Sequence, residues 1–100
     1  MTIDKITKIV FDSIKKVQKI SGDEYTEIEL NSKPRDCLTG FDSLREVETS
    51  IIIKTQLSTQ LNKEIDFKKN IFYSKSSGVN TLEQIIENIS KEILGGSNNE

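Results

Sequence analysis

Ile3, Ile6, Val10, Ile14, Val17 and Ile20 recur at steps of three and four residues, and this spacing limits what the chain can fold into more than any other feature. Such steps line one face of a helix with apolar side chains and leave Lys5, Lys8, Lys15, Lys16 and Lys19 to water. A helix of this kind is stable only when its apolar face is covered, so the cover must come from the rest of the chain. The pattern predicts a helix from Thr2, which can cap its start, to about Ser21, with Gly22 ending it. A matching helix starts at Asn80 or Thr81, where Thr81 and Gln84 spell a capping box. It runs through Leu82, Ile85, Ile86, Ile89 and Ile93 and is stopped by Gly95 and Gly96.

Between these two lie less regular segments. Ser43 opens a helix carrying Leu44, Val47, Ile51, Ile53, Leu57 and Leu61, which ends before Ile65. Its apolar positions drift around the axis, which predicts a broad buried stripe or a bend near Lys54. Asp66 can cap a short third helix through Phe67, Ile71 and Phe72, terminated by "SKSSG". The stretch Asp23 to Asp42 has no sustained period and holds Pro34, so it reads as a long loop, tacked down by Tyr25, Ile28, Leu30 and Leu38. No strand is expected. The fold class is therefore all-α, with one domain over residues 1–94 and a flexible tail over 95–100.

What is missing narrows function. The chain contains no His, which excludes a Ser-His-Asp triad, a Cys-His pair, His-ligated zinc and an imidazole proton shuttle. A single Cys, Cys37, cannot form an internal disulfide or a thiolate cluster and reads as a free thiol. "GDEYTEIE" lacks the Asp-x-Asp-x-Asp-Gly spacing of a calcium loop, so no metal is expected. A net charge of -2 offers no basic footprint for nucleic acid. "MTIDKITKIVFDSIKKV" interleaves charged with apolar residues, unlike a signal peptide, and no window suits a membrane span. The expectation is a cytoplasmic protein that binds neither nucleic acid nor membrane and is not an enzyme.

One stretch asks for a chemical reading: "GFDSLREVE", residues 40–48. Asp and Ser are both favoured caps, and Ser43 with Glu46 fits a capping box. A Ser at a helix N-terminus is equally well placed to carry a phosphate. The residues alone leave both readings open.

The order of these features carries a resemblance. "DSL" at Asp42, Ser43 and Leu44 follows a long anchored loop; "VE" at Val47 and Glu48 comes next, then a short helix behind "EIDF" and "NTLEQIIENI" as the last helix. In this the chain resembles an acyl carrier protein from its first helix to about Leu94. The resemblance implies a right-handed four-helix bundle of acyl-carrier type, with a long loop between helices one and two and a short third helix. It also implies that Ser43 is the attachment point of 4'-phosphopantetheine, a covalent cofactor whose thiol carries acyl intermediates as thioesters. Asp42, Leu44 and Val47 would then be recognition residues. The implied partners are a phosphopantetheinyl transferase and acyl-loading and acyl-processing enzymes, met by a monomeric carrier.

Departures from the family pattern refine the expectation. Thr39 stands between Leu38 and Gly40 where the family has Leu-Gly, and the span from Ser43 to Leu82 is longer than in a typical fatty-acid carrier. The family's second helix is strongly acidic, whereas here Arg45, Lys54 and Lys63 balance Glu46, Glu48 and Glu64. These features favour a dedicated fatty-acyl or polyketide-type pathway over housekeeping fatty-acid synthesis. The alternatives are an aminoacyl or peptidyl carrier, D-alanyl included, and an unmodified helical interaction module.

Overall fold

The computed structural model describes residues 2–67, 70–75 and 78–95, with the backbone alone at 94 and 95. Helix α1 spans Ile3–Ser21. The Thr2 hydroxyl caps it by accepting the Lys5 N–H at 3.2 Å, and Gly22 closes it at φ 78°, a left-handed value suited to glycine. The short helix α2 is Pro34–Cys37, α3 is Ser43–Leu61 and α4 is Leu82–Ser90, running into a π-helical turn at Lys91–Gly95. Two short strands, β1 (Tyr73–Ser74) and β2 (Gly78–Val79), pair antiparallel with Tyr73 opposite Val79.

The described chain is mostly helical, and α1 packs against both α3 and α4. Ile6, Ile14, Ile53, Leu57, Phe72, Leu82, Ile85 and Ile89 are fully buried and form the centre of the core. Within α1 the expected stripe is buried from Ile6 to Val17, joined by Ile9, Ser13 and Gln18, whereas Ile3 and Ile20 in the terminal turns are exposed. The capping box of α4 is formed: Thr81 Oγ1 accepts the Gln84 N–H at 3.2 Å and Gln84 Oε1 accepts the Thr81 N–H at 2.8 Å.

The stretch after Asp66 differs from the helix expected there. Residues 68 and 69 lie outside the described residues; Asp66, Phe67 and residues 70–72 are not helical, and the chain continues into the hairpin. Asn70 explains the change, because its Oδ1 accepts the Phe72 N–H at 2.9 Å and closes a turn two residues long. Asn80 then takes the carbonyls that a helix would use. Its Nδ2 donates to Ile71 O at 3.0 Å and its backbone N–H to Phe72 O at 2.9 Å.

The long loop is held largely as expected, with Ile28 and Leu38 buried and Tyr25 packed at the core edge. Leu30 departs from expectation, since its side chain is exposed. Its backbone does the anchoring: Leu30 O accepts the Glu83 N–H at 2.8 Å and Ser32 O accepts the Leu82 N–H at 2.9 Å. The loop thereby satisfies two amides at the start of α4 that have no acceptor within that helix. Of the expected C-terminal tail, residues 96–100 lie outside the described residues. Among the described residues, no helix is long and apolar enough to cross a membrane.

Candidate functional site

Gln18 organises the approach to Ser43. Wholly buried near the end of α1, it donates through Nε2 to Glu24 O at 2.8 Å and to Thr39 O at 3.0 Å, so the two ends of the long loop meet at one side chain. Beside it, Asp23 Oδ2 and Arg45 Nε form an ion pair at 3.6 Å, with both atoms shielded from solvent. Arg45 also reaches Glu48 at 3.4 Å, so its charge is engaged within the protein. Along α1, the Lys15 ammonium lies 5.6 Å from the centre of the Tyr25 ring. Partial burial, with the negative charges of Glu27 and Asp12 nearby, holds the Tyr25 phenol above its ordinary pKa.

Gly40 has φ 73°, and a Cβ at that position would stand 2.7 Å from Asp23 Oδ2. Two penalties therefore act on Gly40→Ala, a left-handed backbone and a displaced carboxylate, and a loss of about 1–3 kcal/mol is expected. Urea unfolding of the variant measures it; an unchanged midpoint would show that the Asp23 pair is not held in place.

The Asp-Ser question has a geometric answer. Asp42 is the N-cap of α3, its Oδ1 accepting the Arg45 N–H at 3.1 Å. Ser43 is the first helical residue and is exposed, and its hydroxyl makes no hydrogen bond among the described residues. The capping box suggested by Ser43 and Glu46 is not formed, because Asp42 already holds the cap and Glu46 is turned inward. The opening amides of a helix have no intrahelical acceptor. Among the described residues none accepts from Ser43 or Leu44, so an exposed hydroxyl stands beside two open N–H groups.

Helix α3 then presents an inverted first half. Glu46, Thr49, Ile53 and Leu57 face the core, while Leu44, Val47 and Ile51 are 58, 56 and 52% exposed. The broad buried stripe expected from the apolar drift is replaced by two faces, one buried with polar residues nearest the site and one apolar and open. The open face borders a groove of about 360 Å³, lined in part by Val47, Ser50, Ile51, Lys54 and Asp66.

Glu46 is only 2% exposed, and its carboxylate accepts from Arg35 Nε at 3.0 Å and Nη2 at 2.6 Å. That hydrogen-bonded carboxylate holds the Arg35 guanidinium above its ordinary pKa. The pair escaped sequence reasoning, as did Gln18. The signal was present: Glu46, Thr49, Ile53 and Leu57 repeat at the helical spacing of a buried face, and Gln18 stands four residues beyond Ile14.

The structure thus brings Asp42, Ser43, Leu44 and Val47 onto one exposed end of α3. Cys37 lies exposed at the end of α2. Among the described residues, Cys, Asp and Glu nowhere gather in threes that could hold a metal ion. Compared with the models of known protein families, with curated proteins and with solved structures, the chain matches none.

Proposed function

We propose that the protein is an acyl carrier, modified on Ser43 by 4'-phosphopantetheine. The observation that carries this reading is the division of labour at the start of α3: Asp42 caps the helix, leaving the Ser43 hydroxyl exposed and without a hydrogen-bond partner among the described residues. A phosphodiester there would meet the amides of Ser43 and Leu44 and the positive end of the helix dipole. When attached, the arm supplies a thiol that holds an acyl group as a thioester. With no imidazole to deprotonate Ser43, the chain is the substrate of a separate transferase using coenzyme A and Mg²⁺. Fatty-acyl or polyketide-type cargo follows from the resemblance of "GFDS" to acyl rather than peptidyl carrier sites.

The test is intact mass. Incubation with coenzyme A and a broad-specificity phosphopantetheinyl transferase should add one phosphopantetheine to the chain. A wild type left unchanged by several such enzymes would favour an unmodified interaction module.

The open face of α3 also supports an apolar mode of docking for the partners of such a carrier. Leu44, Val47 and Ile51 offer apolar contact, and the cations beside them, Arg45 and Lys54, are already paired. Association of this kind lacks long-range charge steering. Acyl transfer onto the thiol by a cognate enzyme is expected to change less than about threefold between low and physiological salt. A steep loss of rate with salt would assign docking to the loop carboxylates Asp23, Glu24, Glu27 and Glu29 instead.

A further inference from the structure

We propose that Arg35 and Glu46 are positioning residues for the modification of Ser43, their two-pronged bridge closing residues 35–46 into a ring that presents the hydroxyl in one geometry. The proposal rests on the carrier reading given above. The bridge joins α2 to the first turns of α3, and Ser43 lies inside the segment it closes.

Each end of the bridge is fixed independently. Arg35 stands beside the buried Pro34, on a stretch whose preceding residues are tied to α4 through Leu30 O and Ser32 O. Glu46 is sunk against the core side of α3. Within the ring, Leu38 and Phe41 are buried and Thr39 is held by Gln18. These holds face inward, while Ser43 and Leu44 near the end of the segment are exposed and the Ser43 hydroxyl has no hydrogen bond among the described residues. A paired guanidinium and carboxylate fix distance and orientation together, which a single ammonium cannot do.

Cutting the bridge leaves the Gln18, Leu38 and Phe41 holds intact, so the bundle should survive while α2 and the turn before Ser43 sample several arrangements. When only a fraction of molecules presents the competent geometry, apparent affinity falls by that fraction. The chemistry within the bound complex is unaffected. The signature is a rise in KM with little change in kcat.

The experiment follows Ser43 modification by coenzyme A and a transferase in the full chain, for wild type, Arg35→Gln and Arg35→Lys, with circular dichroism on each. The expected result for Arg35→Gln is a KM raised about tenfold, kcat within about twofold, and a retained helical signal, with Arg35→Lys intermediate. Should Arg35→Gln lose its helical signal, the Arg35→Gln, Glu46→Gln double variant, which leaves no unpaired buried charge, carries the same comparison. A folded variant with wild-type KM overturns the positioning role and leaves the carrier reading intact. A loss confined to kcat overturns it as well. A wild type that accepts no phosphopantetheine overturns both.

Discussion

Ser43→Ala is expected to abolish the mass gain completely while changing stability by less than about 0.5 kcal/mol. Both halves follow from the geometry at the start of α3. The hydroxyl would be the only nucleophile the transferase uses, and no neighbouring Ser or Thr shares its place: Thr39 lies before the cap and Thr49 is buried, donating to Arg45 O at 2.7 Å. The fold, in contrast, does not use that hydroxyl. Alanine is the better helix former, and the cap belongs to Asp42. Asp42→Ala supplies the contrast, since losing the cap typically costs about 1 kcal/mol, or roughly 4–8 °C in Tm for a domain near this size. Intact mass and thermal unfolding on both variants decide the matter. A strongly destabilised Ser43→Ala would return Ser43 to a structural role, and residual modification would place the arm elsewhere.

The largest expected effect on stability lies at Phe72, which is 1% exposed and packs against Phe41 in a tilted arrangement, with ring centroids 5.8 Å apart and planes at 55°. Phe72→Ala removes both the buried surface and the aromatic contact, and a loss of about 3–5 kcal/mol is expected. Set against a typical total of roughly 5–15 kcal/mol, that leaves a marginal fold. Because Phe41 directly precedes Asp42, the damage should reach the site. Urea unfolding gives the magnitude. A loss below about 1 kcal/mol would mean that the chain after α3 collapses into the space without strain.

The three long helices were legible because each rests on many residues acting alike. Thr2, Gly22, Thr81 and Gln84 added local punctuation that the structure uses as written. What stayed hidden depends on single side chains reaching across the chain. The hairpin is too short to show a period, and it exists because Asn70 and Asn80 redirect the backbone around Phe72. Phe67, Ile71 and Phe72 had the spacing of a helix without the hydrogen bonds to sustain one. At the site, Ser43 and Asp42 could be singled out by type, but the choice of cap turns on which carboxylate or hydroxyl finds an amide. The inversion of α3 was concealed by its composition, since the apolar spacing put Leu44, Val47 and Ile51 on one buried stripe, while only the resemblance made Leu44 and Val47 recognition residues. Glu46, which the sequence offered as half of a capping box, is instead buried and held by Arg35.

That inversion divides the molecule by the kind of cohesion at its two ends. Around Ser43, Gln18, the Asp23–Arg45 pair and the Arg35–Glu46 bridge add to the buried Leu38 and Phe41, whereas the far half of α3 is held by Ile53 and Leu57 among aliphatic neighbours. Regions secured mainly by hydrogen bonds and charge pairs tend to open as local units, ahead of the apolar core. A local opening at the Arg35–Glu46 bridge would leave Ile28, Leu38 and Phe41 in the core, so on the carrier reading proposed above the site could adapt to successive enzymes without exposing the interior.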